Sequence, residues 1–233
     1  MLSKQRIKEI FGSDENHFSL ANYVLDADGE ILYAEEDGLL LFFKGIHVIF
    51  GTSGQGLENV LALIKTPNCL VCSSCEEGDA VIQRFKNIKY KKACYQILYK
   101  KPFGVQIPEG TIVKDLPPTD ENIDFVTSTY TLGFSREDIK RLMTDFTFYA
   151  TYTNGEISGY IGRHDEGSIG LLEIMPKFRR MGLGAFLVDY SVKMVQEKGE
   201  IAYCNIEVAN EKSLKMHLKM NFIPSDKFVY WCV

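Results

Sequence analysis

The segment from Leu171 to Ala185 combines an apolar stretch, a basic turn and a glycine-rich start of a helix. Gly182 and Gly184 lack Cβ atoms, so backbone N–H groups beside them are able to approach a ligand closely. The start of a helix also exposes unpaired N–H groups and the positive end of the helix dipole. Arg179 and Arg180 add positive charge at the same turn, and the planar guanidinium group suits phosphate oxygens. These residues predict a binding site for phosphate or pyrophosphate.

An ordinary interpretation of the same turn stays open at this point. Glycine is common wherever a strand turns into a helix, and two arginines at a surface turn are often only solvated. A glycine pattern alone is therefore weak support for an anion site.

The chemistry-bearing residues need strands and helices to hold them, and hydrophobic periodicity predicts these elements. In the first half we expect two strands within residues 38–50, a helix over 57–64, a strand over 69–72, a helix over 76–85 and a strand over 95–99. In the second half we expect strand 111–114, helices 120–130 and 136–145, strands 146–152, 157–162 and 169–175, helix 183–198, strand 201–208, helix 211–220 and a last strand ending at 228–232. The pair Asn154-Gly155 predicts a tight hairpin.

A dense group of prolines and glycines between Lys100 and Pro118 predicts a connection between two units. We place the boundary near Gly110, which gives domains 1–109 and 110–233. Gly51 to Gly56 lies between a strand and a helix of the first half, but it contains no P-loop lysine, so we expect a turn there.

Two motifs resemble the GNAT superfamily of N-acetyltransferases. Arg179-x-x-Gly182-x-Gly184 is similar to the signature Q/R-x-x-G-x-G/A, which binds the pyrophosphate of acyl-CoA in that family. The run from Asn210 to Phe222 resembles N-x-x-A/S-x-x-x-Y-x-K-x-G-F, and in it Asn210 and Ser213 match. His217 stands at the tyrosine position.

A narrower resemblance is to the glycine N-acyltransferase-like, or FR47-like, branch. Pro176-Lys177-Phe178-Arg179 resembles the lead-in P-x-Y-R, and the tail around Trp231 also follows that branch. The motifs cover about residues 110–233. The resemblance implies an α/β (α+β) protein with a GNAT fold: a central mixed sheet flanked by helices, preceded by a smaller, degenerate GNAT-like N-terminal domain that is not catalytic.

The resemblance also implies a ligand and a set of contacts. The ligand is acetyl-CoA or another acyl-CoA, used as co-substrate, and the acceptor is a primary amine of a small molecule or peptide. The implied contacts are Ile174, Met175, Arg179, Arg180, Met181, Gly182, Leu183, Gly184, Asn210 and Ser213. Asn210 also has an ordinary role open to it, as the N-cap of the following helix.

Direct attack of the amine on the thioester needs a base, an acid and a donor to the developing oxyanion. Glu173 interrupts an apolar strand and is the candidate base, although an exposed strand residue is the plain alternative. His217 is the candidate acid, because an imidazole with a pKa near 6.5 is able to donate a proton. The oxyanion donor is expected to be a strand N–H near Ile174 or Met175. The alternative function is a non-catalytic acyl-CoA sensor or interaction module.

Composition limits the partners. A net charge of -5 and a pI near 5.5 disfavour nucleic acid and anionic membranes. The N-terminal residues lack a secretory signal, and six cysteines without one suggest free thiols in the cytoplasm. Cys69-x-x-Cys72-x-x-Cys75 has iron–sulfur-like spacing, yet it begins in an apolar strand, and the four histidines lack ligand spacing. We expect no metal, and a monomer or homodimer.

Overall fold

The computed structural model describes residues 1–130 and 132–233. The chain forms two compact units. The first contains Met1–Leu98 together with Tyr203–Val233, and the second contains Tyr99–Ala202.

The helices and strands alternate through both units. The helices are α1 (Lys4–Phe11), α2 (Ser19–Asp26), α3 (Gly54–Leu63), α4 (Cys75–Arg84), α5 (Asp120–Thr129), α6 (Arg136–Asp145), α7 (Leu183–Glu197) and α8 (Glu211–Lys219). The strands are β1 (Glu30–Glu35), β2 (Gly38–Phe43), β3 (Ile46–Phe50), β4 (Cys69–Cys72), β5 (Lys91–Leu98), β6 (Thr111–Leu116), β7 (Phe148–Thr153), β8 (Glu156–Arg163), β9 (Ile169–Ile174), β10 (Tyr203–Glu207) and β11 (Phe228–Cys232).

The second unit is built on an antiparallel sheet in the order β6-β7-β8-β9. The residues of β7 alternate between its two faces. Phe148 and Ala150 share a core with residues of α5 and α6, whereas the Tyr149 ring lies 5.1 Å from the ring of Tyr190 on α7. Helices therefore cover both faces of this sheet, and β9 is its last strand.

Strand β9 contains a β-bulge. Tyr160 pairs with Glu173 and Gly162 with Gly170, so Leu171 and Leu172 together face one residue of β8. Leu171 is buried and has a φ of 48°, a left-handed conformation that leucine rarely adopts. The bulge sets which side chains of the last half of β9 point to each face.

The first unit has a seven-stranded mixed sheet in the order β1-β2-β3-β4-β11-β5-β10. Strand β3 runs parallel to β4, with Ile46 opposite Cys69 and Ile49 opposite Cys72. Strand β11 pairs antiparallel with both β4 and β5, and β5 in turn pairs with β10. The last strand of the chain is thus inserted between two strands of its first half.

The mixed α/β architecture and the predicted elements are confirmed, with bounds that differ by a few residues. Asn154 and Gly155 form the tight hairpin turn, with φ values of 54° and 82°. Helices α1 and α2 and strand β1 were not predicted. The compact units follow spatial packing and differ from the ranges 1–109 and 110–233, so that division of the sequence stays a prediction. Among the described residues, no helix is long and apolar enough to cross a membrane.

The interleaved strands lead to a prediction about fragments. Expressed separately, 1–109 and 110–233 should each lack cooperative unfolding by circular dichroism, because β10 and β11 obtain their partner strands from the first half. As the control, a protease site inserted after Pro108 and cleaved in the folded protein should leave the two pieces associated during gel filtration. Cooperative unfolding of 110–233 alone would contradict this view of the sheet.

Candidate functional site

The basic turn between β9 and α7 has an unusual backbone. Arg180 and Gly182 have φ values of 69° and 83°, both in the left-handed region. Gly182 is the N-cap of α7, and a Cβ built there meets nothing within 4 Å. The N–H groups of the first helical turn have no carbonyl of their own helix to bind, and Gly182 has no side chain to cap them. This turn therefore offers backbone N–H groups with open space beside them.

The side chains at the turn are mostly exposed. Arg179, Arg180, Met181 and Gly182 lie at the surface, whereas Leu183 is buried and anchors the first turn of α7 in the core. Gly184 follows, half-buried, in the same helical turn. The charged groups and the open N–H groups thus share one surface.

Arg179 reaches back to β9. Its Nε donates to the carbonyl of Ile174 at 3.0 Å, and one Nη donates to Glu173 Oε1 at 3.1 Å. The turn and the candidate base are consequently linked by one guanidinium group.

Glu173 lies directly opposite Tyr160 in the β8–β9 pair, on the face of the sheet that α5 and α6 cover. Burial, with a smaller contribution from the negative charge of Glu173, raises the pKa of Tyr130 to about 12. Burial also raises the pKa of Tyr160, whose hydroxyl lies 2.9 Å from Thr129 Oγ1. Both phenols stay protonated at neutral pH. Glu173 therefore has both neutral phenols and the Arg179 guanidinium as neighbours.

Two backbone N–H groups were candidates for the oxyanion donor. Met175 N–H donates to the carbonyl of Ser158 at 3.0 Å, so that group continues the ladder with β8. The alternation of an antiparallel ladder then turns the N–H of Ile174 toward the outer edge of β9. Of the two, the geometry favours Ile174.

The residues of the second motif lie in the other unit. Asn210 Oδ1 accepts the N–H of Ser213 at 3.2 Å, so the N-cap role of Asn210 is confirmed. His217 is buried, its Nδ1 lies 2.8 Å from the carbonyl of Ser213, and its Nε2 lies 3.8 Å from Cys204 Sγ. Burial lowers the pKa of His217, which favours a neutral ring that donates from Nδ1. These contacts suit a packing role, and the role of His217 as an acid stays a prediction.

The acidic residues at the β8–β9 turn are engaged elsewhere. Asp165 forms an ion pair with Arg141, and buried Glu166 accepts a hydrogen bond from Ser168. They precede β9, whereas Glu173 lies four residues after its first residue, Ile169, which is about 13 Å along the strand at roughly 3.3 Å per residue. The strand therefore separates them from Glu173.

The first half contains a comparable strand, glycine turn and helix that are arranged differently. Gly51 to Ser53 forms a turn between β3 and α3, whereas Gly54 to Gly56, which were also expected in the turn, form the start of α3. Buried Glu77 accepts hydrogen bonds from Thr52 N–H at 2.7 Å and from Ser73 N–H at 2.6 Å. A carboxylate of the chain itself thus binds the backbone of this turn.

Sequence reasoning missed Tyr130, Tyr160 and the bulge at Leu171. A tyrosine inside the apolar strand Ile157 to Gly162 was a usable signal, because a buried hydroxyl needs a partner. The cysteines of the 69–75 run occupy β4 and the start of α4. Among residues 1–130 and 132–233, no group of three or more His, Cys, Asp or Glu side chains is placed to hold a metal.

Comparisons with known proteins address the family and the fold. Residues 148–231 match the family described as FR47-like protein, so the predicted resemblance is confirmed for that segment. A Drosophila protein of known X-ray structure is 13% identical, with a TM-score of 0.70 over 100% of this chain and 97% of that one.

Two further structures are named as GNAT, or GCN5-related N-acetyltransferase, proteins. A GCN5-related N-acetyltransferase from Kribbella flavida is 10% identical, with a TM-score of 0.57 over 93% of each chain. A tandem GNAT protein from the clavulanic acid biosynthesis pathway is 12% identical, with a TM-score of 0.50 over 95% of each chain. At these identities the likeness shows the fold, and the expected two-part GNAT fold is confirmed.

Burial of imidazoles in the first unit predicts a pH-dependent stability. Burial lowers the pKa of His17, His47 and His217, so below pH 6.5, near the unfolded value, the unfolded chain binds more protons than the folded one. The free energy of unfolding should therefore fall between pH 7.5 and 5.5 in urea titrations. His217→Phe should make this fall smaller, and equal stability at both pH values would contradict the prediction.

Proposed function

We propose, on the premise that residues 148–231 are an FR47-like segment and that the chain has the GNAT fold, that this protein is an acyl-CoA-dependent N-acyltransferase. The observation that carries the proposal is the turn from Arg179 to Gly184. This turn combines the left-handed backbone of Gly182, the start of α7 and two arginines. The space where a Cβ of Gly182 would lie is open. Such a turn suits a pyrophosphate, and the open space beside Gly182 fits a group that approaches the backbone closely.

The acyl donor in this proposal is acetyl-CoA or another short acyl-CoA. Its pyrophosphate is held by the N–H groups of the turn and by Arg179 and Arg180, with Met181, Leu183 and Gly184 completing the loop. By resemblance to the family's second motif, the CoA arm is contacted by Ser213 and by Asn210, which also caps α8. The comparable turn of the first half is bound by Glu77, which supports a non-catalytic role for residues 1–109.

The reaction is direct attack of a primary amine on the thioester carbonyl. The amide C–N bond forms, the C–S bond breaks, and CoA leaves as a thiolate that takes a proton from His217 or from water. Glu173 takes a proton from the ammonium group, directly or through water, and the N–H of Ile174 stabilises the negative charge that develops on the carbonyl oxygen. Positioning supplies most of the rate enhancement, because holding the amine beside the thioester removes much of the entropic barrier. The acceptor is a small molecule or peptide, and the neutral phenols of Tyr130 and Tyr160 lie near the carboxylate that receives it.

A thiol-release assay separates the enzyme from the non-catalytic alternative. Acetyl-CoA and longer acyl-CoAs are incubated with a panel of amino acids, polyamines and peptides, and free CoA is measured with a thiol reagent. We expect amine-dependent release with at least one acceptor. Binding of CoA without release across the panel would favour the sensor.

Substitutions at Gly182 test the anion turn. We compare Gly182→Asp with Gly182→Asn, because both side chains tolerate left-handed backbone and differ in charge. Calorimetry should show CoA affinity at least tenfold weaker for the Asp variant than for the Asn variant, since the carboxylate repels the pyrophosphate. Equal affinities in two folded variants would place CoA elsewhere.

Substitutions at the two proton-transfer candidates test their roles. General acid or base assistance is typically worth about 10²–10⁴-fold in rate. We expect Glu173→Gln to lower kcat within this range. His217→Phe should have the smaller effect, because the ring is buried and its Nδ1 lies against a backbone carbonyl. Full activity of Glu173→Gln would remove Glu173 from the mechanism, and a tenfold or larger loss in His217→Phe at unchanged stability would support the acid role.

A further inference from the structure

One guanidinium group joins the proposed pyrophosphate turn to the proposed base. Arg179 Nη2 lies 3.1 Å from Glu173 Oε1, and Arg179 Nε donates to the carbonyl of Ile174 at 3.0 Å. The arginine side chain is 57% exposed and that of Glu173 is 25% exposed. Arg179 is therefore held against β9 by its Nε and Nη2 groups, on a side chain that solvent reaches.

The contacts of Arg179 compete with the role proposed for it. The Nε and Nη2 groups form one edge of the guanidinium fork, and a fork edge is what binds two oxygens of a phosphate. In the structure that edge is occupied by Glu173 and by the carbonyl of Ile174. A pyrophosphate carries more negative charge than a single carboxylate, and it would also have the N–H groups of the α7 turn as further donors.

We propose that binding of acyl-CoA draws Arg179 from Glu173 to the pyrophosphate and so frees the Glu173 carboxylate for the ammonium group of the acceptor. This inference rests on the proposed function and adds the order of events. Before the donor binds, an amine has to displace Arg179 from Glu173. After the donor binds, the Glu173 carboxylate no longer has Arg179 as its partner, so it attracts the ammonium group of the acceptor. Arg179 is a positioning residue in this scheme, because it acts on the acceptor through Glu173.

Thermodynamic linkage predicts the direction in which CoA affinity changes when Glu173 is substituted. If Glu173 and the pyrophosphate compete for Arg179, removing the charge of Glu173 must strengthen CoA binding, because Arg179 is then free beforehand. Ion pairs that are partly exposed have modest strength, so the expected gain is about twofold to fivefold in affinity. If Glu173 merely supported the structure of the site, its substitution would weaken CoA binding.

Calorimetric titration with CoA tests the scheme by a double-mutant cycle. The variants are Glu173→Gln, Arg179→Gln and the double substitution. The control is Glu156→Gln, which removes the same charge and breaks the neighbouring exposed ion pair with Lys177. Circular dichroism melts confirm that each variant is folded. We expect tighter binding in Glu173→Gln, weaker binding in Arg179→Gln, no gain from Glu173→Gln in the Arg179→Gln background, and unchanged affinity in Glu156→Gln.

Other outcomes overturn the inference in distinguishable ways. Weaker or equal CoA binding in Glu173→Gln means that the ion pair does not oppose donor binding. A gain that persists without Arg179 means that Glu173 acts as a general negative charge and not through the arginine. In both cases the proposed function still stands. Failure of the wild-type protein to bind CoA at all overturns the proposed function, and the inference with it.

Discussion

The hydrogen-bond ladder of β9 is the constraint on which the rest of the candidate site depends. Strand β9 is the last strand of its sheet and pairs with β8. Because the Met175 N–H completes that ladder, Ile174 is turned to the other edge and Glu173 to the face shared with Tyr160. This register therefore sets which face Glu173 lies on and which edge the Ile174 N–H points to, just before the turn that begins at Arg179.

The comparable strand of the first half, β3, has a partner strand on both edges, whereas β9 is the last strand of its sheet. Strand β3 lies between β2 and β4, and its parallel pairing with β4 extends from Ile46 to Ile49. The glycine turn that follows is bound by Glu77. The same order of strand, glycine turn and helix therefore produces a closed structural element in one half and an open one in the other. Local pattern alone does not distinguish them, because the first-half turn is bound by Glu77, a residue of α4 that is distant from it in sequence.

The dependence of a structure on nearby or distant residues explains which features the sequence could predict. Elements with strong local signals were correct, such as the Asn154-Gly155 hairpin and the helix that begins after Gly182, since their conformations depend on residues close in the chain. The insertion of β11 between β4 and β5 has no local signal, because the paired strands are far apart in sequence. The bulge was also not predictable, since a leucine at positive φ opposes its own preference and is held there by burial.

The surroundings of His217 show the same limit for a candidate site residue. The motif places it where the family has a tyrosine, but burial and the carbonyl of Ser213 favour a neutral ring directed at its own helix. Whether a neutral, packed His217 slows the proposed reaction depends on the leaving group. A thiol with a reference pKa near 8.5 leaves readily as thiolate, so an acid adds less here than it would for an alkoxide or an amine. In the proposed mechanism, a packed imidazole at the tyrosine position is therefore compatible with turnover, whereas loss of the Glu173 carboxylate would remove the group that takes the proton from the ammonium group of the acceptor.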